Sequence, residues 1–233
     1  MPTFTITGEN DPFLHVNLRR SEKIYTESGS MVCMDGTLEL KGKMRGGFFS
    51  SLGRSLANDE SLFQTTIEAK TGDGDCLLAP GLPGDIWLLD VGPQQYRLND
   101  GAFLAAEDTV DIKSKSQRMG QALFGGSGGF FVMETSGHGK VAVSSFGTIF
   151  TLDVKPGQET IVDNTHVVAW DSRLDYKIST MSTAGGGFFG NLMNSVTTGE
   201  GLVNRFSGQG QILVCSRNRD SFSSWVASKA GVR

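Results

Sequence analysis

The sequence predicts an all-β protein, a rolled β-sandwich of the double-stranded β-helix type in which three pseudo-symmetric repeats share one core. The first indication is internal similarity: residues 35–41 align with 107–113 and with 171–177, each carrying an acid, alternating apolar residues, a second acid and a lysine. The second is a succession of short apolar runs separated by Gly, Asn, Asp and Ser, which is typical of strands joined by turns. A unit that cannot bury its apolar face alone must stack on its copies.

Strands are predicted in chain order from these runs. The first repeat is predicted to contain strands at 4–7, 14–18, 23–25, 31–34 and 37–41. The second contains 76–78, 85–91, 95–98, 102–105 and 109–113. The third contains 140–144, 148–154, 159–162, 166–170 and 174–178, and a last strand follows at 211–216.

Turn residues recur between the strands. Asn, Asp and Gly tolerate the positive φ that tight hairpin turns require. Such turns are predicted at 28–29, 99–101 and 164–165, and a Gly-x-Gly turn at 72–74, 137–139 and 208–210. A lone Gly-x-Gly also resembles a phosphate-binding loop, but here it falls between strands three times, which favours hairpins.

Segments rich in Gly and Phe interrupt the strand pattern. Residues 46–55 are echoed by 186–195, and a rearranged version occupies 122–131. Apolar residues at spacings of four predict partly helical loops over 46–57 and 186–197. Aromatic rings in glycine-rich loops are either interaction elements or plugs that fold back on the ends of the barrel. The candidate interaction residues are Phe48, Phe49, Leu52, Phe130, Phe131, Phe188, Phe189 and Leu192.

Length and the span of the repeats predict one domain over residues 1–233, with repeats at roughly 1–66, 67–131 and 132–216 and a tail at 217–233. Thirty-one glycines but only 6 prolines favour many tight turns.

The net charge is −4, yet the chain from Arg205 onward carries five cations and one acid, a local +4. A short basic tail of this kind is more often a solvated terminus than a phosphate-binding element.

The cysteines and the start of the chain favour a cytoplasmic location. Cys33, Cys76 and Cys215 are an odd number without CxxC spacing, and each has apolar neighbours, so we expect buried thiols in a reducing compartment. No secretory signal is visible, and the uncharged stretch 178–199 is too rich in Gly, Ser and Thr to span a bilayer.

Catalytic and metal-binding patterns are weak. His15, His138 and His166 lie apart, without HxH or HExxH spacing, so we expect no metal site and no cofactor. The recurring acid pairs, such as Asp35 and Glu39, are about 13 Å apart on an extended strand at about 3.3 Å per residue, too far to share a proton. We therefore interpret both acids of each pair as solvent-facing, and expect no enzyme.

Two segments carry a family resemblance. Residues 185–189 with 198–210, and the turn at 80–86, closely resemble the uncharacterised bacterial family related to the fungal altered inheritance of mitochondria protein, the twenty-fourth of that series. The resemblance covers nearly the whole chain. It implies a fold similar to the tryptophan RNA-binding attenuation protein, a rolled β-sandwich with internal threefold symmetry. It brings no catalytic or cofactor residues.

The sequence therefore favours a non-catalytic interaction or scaffold protein. Its expected partners are further copies of itself, a membrane surface or another protein, contacted through the Gly/Phe-rich loops. The alternative from the fold analogy is a nucleic-acid-binding or regulatory protein. Nucleic acid is disfavoured because the chain is acidic and does not interleave Lys and Arg with aromatic residues. An enzyme with an unrecognised site ranks third.

Overall fold

The computed structural model describes residues 1–42, 65–117, 130–180 and 202–231, and for 115–117, 130, 131 and 180 only the backbone. The chain divides into two compact units, 1–145 and 146–233. The prediction of one domain built from three repeats stays a prediction. Each unit is described by itself below.

The first unit contains thirteen strands within its described residues, all of them paired in antiparallel fashion. They are β1 Thr3–Thr7, β2 Phe13–Leu18, β3 Lys23–Thr26, β4 Met31–Met34, β5 Leu38–Gly42, β6 Thr65–Ala69, β7 Gly74–Leu78, β8 Ile86–Val91, β9 Tyr96–Asn99, β10 Phe103–Glu107, β11 Val110–Gln117, β12 Phe130–Gly137 and β13 Gly139–Ser144. One sheet has the order β1-β2-β7-β4, and a six-stranded sheet has the order β5-β6-β3-β10-β13-β8. Strands β11, β12 and β9 are also neighbours in a sheet.

The second unit contains six strands and one α-helix within its described residues. The strands are β14 Ile149–Val154, β15 Thr160–Asp163, β16 Val167–Asp171, β17 Asp175–Thr180, β18 Leu202–Ser207 and β19 Gly210–Cys215. Strand β19 lies between β16 and β14, and β18 lies between β15 and β17. A single 3-10 turn, Asn164–His166, precedes β16, and helix α1, Arg219–Ala230, follows the last strand.

The all-β, sandwich-like prediction is confirmed. Every strand predicted from the sequence corresponds to an observed strand, with boundaries that differ by a few residues. Three strands were not predicted: β6, β12 and β18. Each of them follows one of the Gly/Phe-rich segments, where glycine obscures the alternating pattern.

Strand alternation builds the core of the first unit. In β2 the side chains of Leu14, Val16 and Leu18 are fully buried, while Phe13 and Asn17 are exposed. Because successive side chains point to opposite faces of a sheet, one face of β2 forms the core. The buried cluster also includes Ile24, Ile67 and Leu78. Each large aliphatic side chain contributes roughly 1.5–3 kcal/mol when it is removed from water.

An aromatic cluster organises the second unit. The ring of Trp170 is fully buried and lies 5.0 Å from that of Tyr176 and 5.7 Å from that of Phe206, centroid to centroid. Both contacts are edge-on, the geometry that aromatic quadrupoles favour. Trp170, Tyr176 and Phe206 belong to β16, β17 and β18, so the cluster ties three strands of two sheets together.

The aligned segments form three similar turns, at 35–38, 107–110 and 171–174. Each turn delivers a buried aliphatic side chain, which is Leu38, Val110 or Leu174. Each turn also lies against a glycine that begins a strand. A Cβ on that glycine would meet Leu38 Cδ2 at 2.9 Å for Gly74, Val110 Cγ2 at 3.1 Å for Gly139 and Asp171 Cβ at 2.8 Å for Gly210.

Each of the three segments continues into a strand, β5, β11 or β17, that pairs antiparallel with the next strand along the chain, but the surroundings of the side chains differ. Two residues further on, Leu40 is exposed, Ile112 is buried and Tyr176 is half-buried. The strands therefore begin alike and then enter different surroundings. Gly74 and Gly210 have no positive φ, so backbone conformation does not require glycine at these two positions. The close approach of the turn does, because it leaves no room for a Cβ.

Replacing Gly210 by Ala is expected to lower the free energy of unfolding by about 1–3 kcal/mol, because the new methyl group collides with Asp171 in a packed turn. Chemical denaturation of the purified protein measures the change. The matched control is Gly81→Ala, where a Cβ meets nothing within 4 Å. Equal stability of the two variants would show that the turn does not need a glycine partner.

Candidate interaction surface

Most of the predicted interaction residues fall outside the described residues. This holds for Phe48, Phe49, Leu52, Phe188, Phe189 and Leu192, and for the predicted helical loops at 46–57 and 186–197. Phe130 and Phe131 begin β12, where their backbones pair with Gln117 and Ser116 of β11. The role of all these side chains stays a prediction.

The expectation that both acids of each recurring pair face solvent is wrong for two of the six. Glu39, Asp111 and Asp175 are exposed or half-buried, and Asp35 is exposed. In contrast, Glu107 is 4% exposed and Asp171 is fully buried. The first acid of each pair lies where a strand ends and a turn begins. The contacts made at that turn determine whether its carboxylate is buried.

The carboxylate at this position supplies an acceptor where a strand leaves the sheet. Strand β4 ends at Met34, so the backbone N–H of Asp75 in β7 has lost its neighbour in the ladder. Asp35 Oδ2 accepts that N–H at 2.8 Å. The backbone N–H of Lys140 likewise bonds to the carboxylate of Glu107. A backbone donor that has lost its strand partner needs another acceptor, and here the side chain provides it.

Asp171 fills the same position in the second unit with a different partner. Its Oδ1 accepts the backbone N–H of Arg173 at 2.9 Å and the Nε of the same residue at 3.0 Å. The carboxylate is buried while the guanidinium is mostly exposed. A buried charge is tolerated only when it is paired and hydrogen-bonded, and the local arginine meets that requirement.

One outer sheet face brings titratable groups near a thiol. His15 Nε2 lies 3.2 Å from Asp75 Oδ1, and Asn17 Nδ2 donates to the same oxygen at 2.8 Å. Both His15 in β2 and Cys33 in β4 pair with Leu77, one on each side. Strands about 4.8 Å apart place the imidazole and the thiol roughly 10 Å from each other. Hence His15 cannot deprotonate Cys33 directly.

The thiols divide into one exposed and two buried. Cys33 is exposed, which corrects the expectation that all three are buried. Cys33 lies in β4, an outermost strand of its sheet. Successive side chains of a strand point to opposite faces, so apolar neighbours in the sequence do not place the thiol in the core. Burial, and then the Asp75 carboxylate, raise the pKa of Cys76 to about 12. Burial also raises the pKa of Cys215. Neither buried thiol is activated as a nucleophile.

The other histidines lie in turns. His138 is exposed between β12 and β13, as predicted. His166 closes the 3-10 turn one residue before β16, and its Nδ1 lies 2.7 Å from the carbonyl oxygen of Cys215. Among the residues that the structure describes, no three His, Cys, Asp or Glu side chains are grouped as metal ligands.

An open cleft of about 320 Å³ lies beside the family-like turn at 80–84. Its lining residues are proline, glycine, Ala79 and Leu82, with Asp11 as the one ionisable residue. It offers little chemistry for orienting a ligand, because specific sites combine apolar walls with several placed polar groups.

Exposed aromatic side chains mark two outer strands. Trp87 of β8 is 41% exposed, and β8 is the outermost strand of its six-stranded sheet in the described part of the first unit. Phe150 of β14 is 64% exposed, and β14 lies outside β19 in the second unit. Large aromatic residues at exposed positions of edge strands are typical of interaction surfaces.

Helix α1 was not predicted from the sequence; the tail was expected to be a solvated terminus. Its capping residues are nevertheless visible in the sequence. The side chain of Asn218 accepts the backbone N–H of Ser221, and Gly231 ends the helix with a φ of 66°. Phe222, Trp225 and Val226, at i, i+3 and i+4, are the further signal that identifies it. All three side chains are exposed.

No helix in ranges 1–42, 65–117, 130–180 and 202–231 combines the length and apolar content needed to cross a membrane. The fold and surface thus define a protein of antiparallel sheets with aromatic groups at its outer strands. Residues 4–217 match the family described as Mitochondrial biogenesis AIM24, and the chain belongs to that family. The resemblance predicted from the sequence is confirmed at the level of the family.

Two streptococcal relatives support this membership. The chain is 41% identical over 218 residues to an uncharacterized protein of Streptococcus pyogenes serotype M6, covering 91% of this chain and 84% of that protein. It also resembles the crystal structure of protein SPYM3_0169 from Streptococcus pyogenes, with a TM-score of 0.83 and 37% identity, over 98% of this chain and 100% of the other. Helix α1 follows the residues that match the family.

The buried carboxylate of Glu107 generates a pH prediction. Burial raises its pKa above the ordinary 4.5, so the folded protein binds this proton more tightly than the unfolded chain does. The contribution of Glu107 to the free energy of unfolding therefore falls as pH rises from the ordinary pKa through the raised one. Glu107→Gln keeps an acceptor for the Lys140 N–H and removes the charge. At pH 7 we expect this variant to be at least as stable as the parent.

The advantage of Glu107→Gln is expected to vanish below the ordinary pKa, as measured by denaturation across a pH series. Asp111→Asn, at an exposed carboxylate on the next strand, is the matched control. A deficit of the Gln variant that grows towards pH 7 would mean that the ionised form of Glu107 is stabilised by its surroundings.

Proposed function

We propose that this protein is a non-catalytic interaction protein that assembles with further copies of itself. The observation that carries the proposal is the exposure of Trp87 and Phe150 on the outermost strands β8 and β14. An edge strand presents free backbone N–H and C=O groups that can pair with another chain. An aromatic side chain at the same edge adds apolar area to that pairing.

The first unit supplies an internal comparison. Strand β2 carries the exposed Phe13, but β1 covers its outer edge, with Phe4 opposite Val16 and Ile6 opposite Leu14. No described strand of the first unit covers β8 in this way. Strand addition by a second copy, as in other β-augmentation complexes, would satisfy the edge and bury the aromatic ring.

The Gly/Phe-rich segments belong to the same proposal. Phe48, Phe49, Phe130, Phe131, Phe188 and Phe189, with Leu52 and Leu192, are the residues that we propose as further contact groups. Each aromatic ring removed from water contributes roughly 1.5–3 kcal/mol. A second copy, rather than an unrelated protein, is proposed because complementary edges and aromatic groups are present on this chain itself.

The chemistry of the described side chains supports a non-catalytic role. The pKa of Cys76 is raised to about 12, away from that of a nucleophile. His15 is paired with Asp75, but the exposed thiol of Cys33 lies about two strand spacings away, roughly 10 Å. A general base must lie within hydrogen-bond reach of the proton that it removes.

The similarity to the tryptophan RNA-binding attenuation protein stays an expectation about the fold and does not extend the proposal to nucleic acid. Phosphate binding requires clustered cations. This chain carries a net charge of −4, and its best-defined cations, including Lys41 and Arg97, are paired with carboxylates.

Light scattering at several protein concentrations tests the proposal. The parent protein is expected to form a discrete oligomer, and Trp87→Ser with Phe150→Ser is expected to weaken its association constant about tenfold or more. Phe13→Ser is the matched control, because Phe13 is 40% exposed on a strand whose edge is already covered. A parent protein that stays monomeric, or a double variant that associates as before, would contradict the proposal.

A second arm of the same experiment concerns the loop residues. Phe188→Ser with Phe189→Ser is expected to reduce association while leaving the melting temperature nearly unchanged. A large loss of stability instead would assign these rings to the core and remove them from the proposed contact groups.

A further inference from the structure

Helix α1 has an unusual distribution of side chains around its axis. At 3.6 residues per turn, Arg219, Phe222, Trp225, Val226 and Lys229 fall within roughly 120° of arc. The opposite side carries Ser221, Ser224 and Ser228 together with Asp220. One face of the helix is therefore apolar with a cation at each end, and the other is small and polar. We name the first the cationic-aromatic face.

The cationic-aromatic face is exposed although the start of the helix is anchored. Asn218 Nδ2 donates to Thr165 Oγ1 at 2.7 Å, and the ring of Phe222 lies 5.2 Å from that of Phe146. The guanidinium of Arg217 lies 5.6 Å above the same Phe146 ring. Despite its contact with Phe146, Phe222 is 44% exposed, and Trp225 and Val226 are 58% and 41% exposed.

Apart from the anchor at its start, helix α1 has little packing against the described residues. Of the residues 219–230, Ala227 is half-buried and none is fully buried. Isolated helices of about 12 residues are marginal in water, and most helical stability in proteins comes from packing of an apolar face. An exposed tryptophan and phenylalanine on such a helix indicate a partner that takes up this face.

Charge identifies the chemistry of that partner. Residues 217–233 carry Arg217, Arg219, Lys229 and Arg233 against Asp220, a net +3, while the remainder of the chain sums to −7. The cations flank the apolar stripe, where long Lys and Arg side chains can extend to phosphate groups as their stems lie on apolar surface. Trp and Phe side chains favour the membrane interface, and basic groups beside them favour anionic lipid.

We infer that helix α1 lies on the surface of an anionic lipid membrane, with Phe222, Trp225 and Val226 at the level of the headgroups and Arg219 and Lys229 on lipid phosphates. The negative surface of such a membrane attracts the tail and repels the remaining, acidic chain. This orients the protein with its tail towards the lipid. The inference depends on α1 alone and not on β8 or β14.

A second copy of the helix is a poorer occupant of this face. An antiparallel pair would place Arg219 of one helix opposite Lys229 of the other, and a parallel pair would place like residues opposite each other. Cation faces cation in both arrangements, which is destabilising. The self-association proposed above therefore uses other surfaces.

Flotation of the full-length chain with lipid vesicles tests the inference. We expect the protein to float with vesicles containing phosphatidylglycerol and phosphatidylcholine, and not with phosphatidylcholine alone. Trp225→Ser with Val226→Ser is expected to reduce the partition coefficient at least tenfold. Arg219→Gln and Lys229→Gln are each expected to reduce it about fivefold, with an effect that weakens as salt is added.

Matched variants keep the outcome interpretable. Ser224→Ala with Ser228→Ala changes the opposite face and is expected to leave flotation unchanged. Trp87→Ser with Phe150→Ser is also expected to float like the parent protein, which separates this inference from the proposed self-association. All variants are checked by thermal melting, where exposed positions of α1 are expected to have little effect.

Three flotation results would overturn the inference. They are equal flotation with neutral and anionic vesicles, flotation of the Trp225 and Val226 double variant at the parent level, and absence of flotation altogether. Self-association that is lost in the same double variant without lipid would assign the face to a second copy and would also contradict it.

Discussion

A carboxylate that accepts a backbone N–H where a strand leaves its sheet is the interaction on which the described fold depends. Asp35 bonds to the N–H of Asp75, and Glu107 bonds to that of Lys140. Each bond lets the chain turn without leaving an unpaired donor in the neighbouring strand. The turn then delivers a buried aliphatic residue to the core, against a glycine that has no Cβ to block it. The acid, the aliphatic residue and the glycine recur together because the carboxylate accepts a backbone N–H and the glycine leaves room for the turn.

The sequence predicts the sheets well because alternation and turn chemistry are local signals. Strand β2, whose residues 14–18 alternate between apolar and polar, is an example. Strands β6 and β18 escaped prediction because the segments before them are rich in glycine and interrupt the pattern. The burial of Glu107 could not be predicted, since it depends on which backbone donor lies opposite a strand end. Helix α1 was predictable from Asn218 and the apolar spacing, but the charge of the tail favoured a solvated terminus.

The described surface of this AIM24-family chain carries paired ionisable groups and exposed aromatic side chains. Among the described residues, ionisable groups begin turns, as Asp171 does, or pair with one another across neighbouring strands, as His15 of β2 and Asp75 of β7 do. Its exposed aromatic side chains include Trp87 and Phe150 on edge strands and those of the cationic-aromatic face of α1. Aromatic groups exposed in this way are stabilised by being covered. Edge strands suit another chain, which can continue the sheet, whereas a helix flanked by cations suits a surface of acidic lipid.

Amide hydrogen exchange of the native protein tests the role of the carboxylates most directly. If Asp35 and Glu107 close the sheets, the amides of Asp75 and Lys140 exchange as slowly as those in the middle of β7 and β13. Removing the acceptor by Asp35→Ala is then expected to speed exchange at Asp75 and leave Lys140 unaffected. Exchange at Asp75 and Lys140 as fast as at the exposed amides of Gly81 and Leu82 would contradict the proposed role of these bonds.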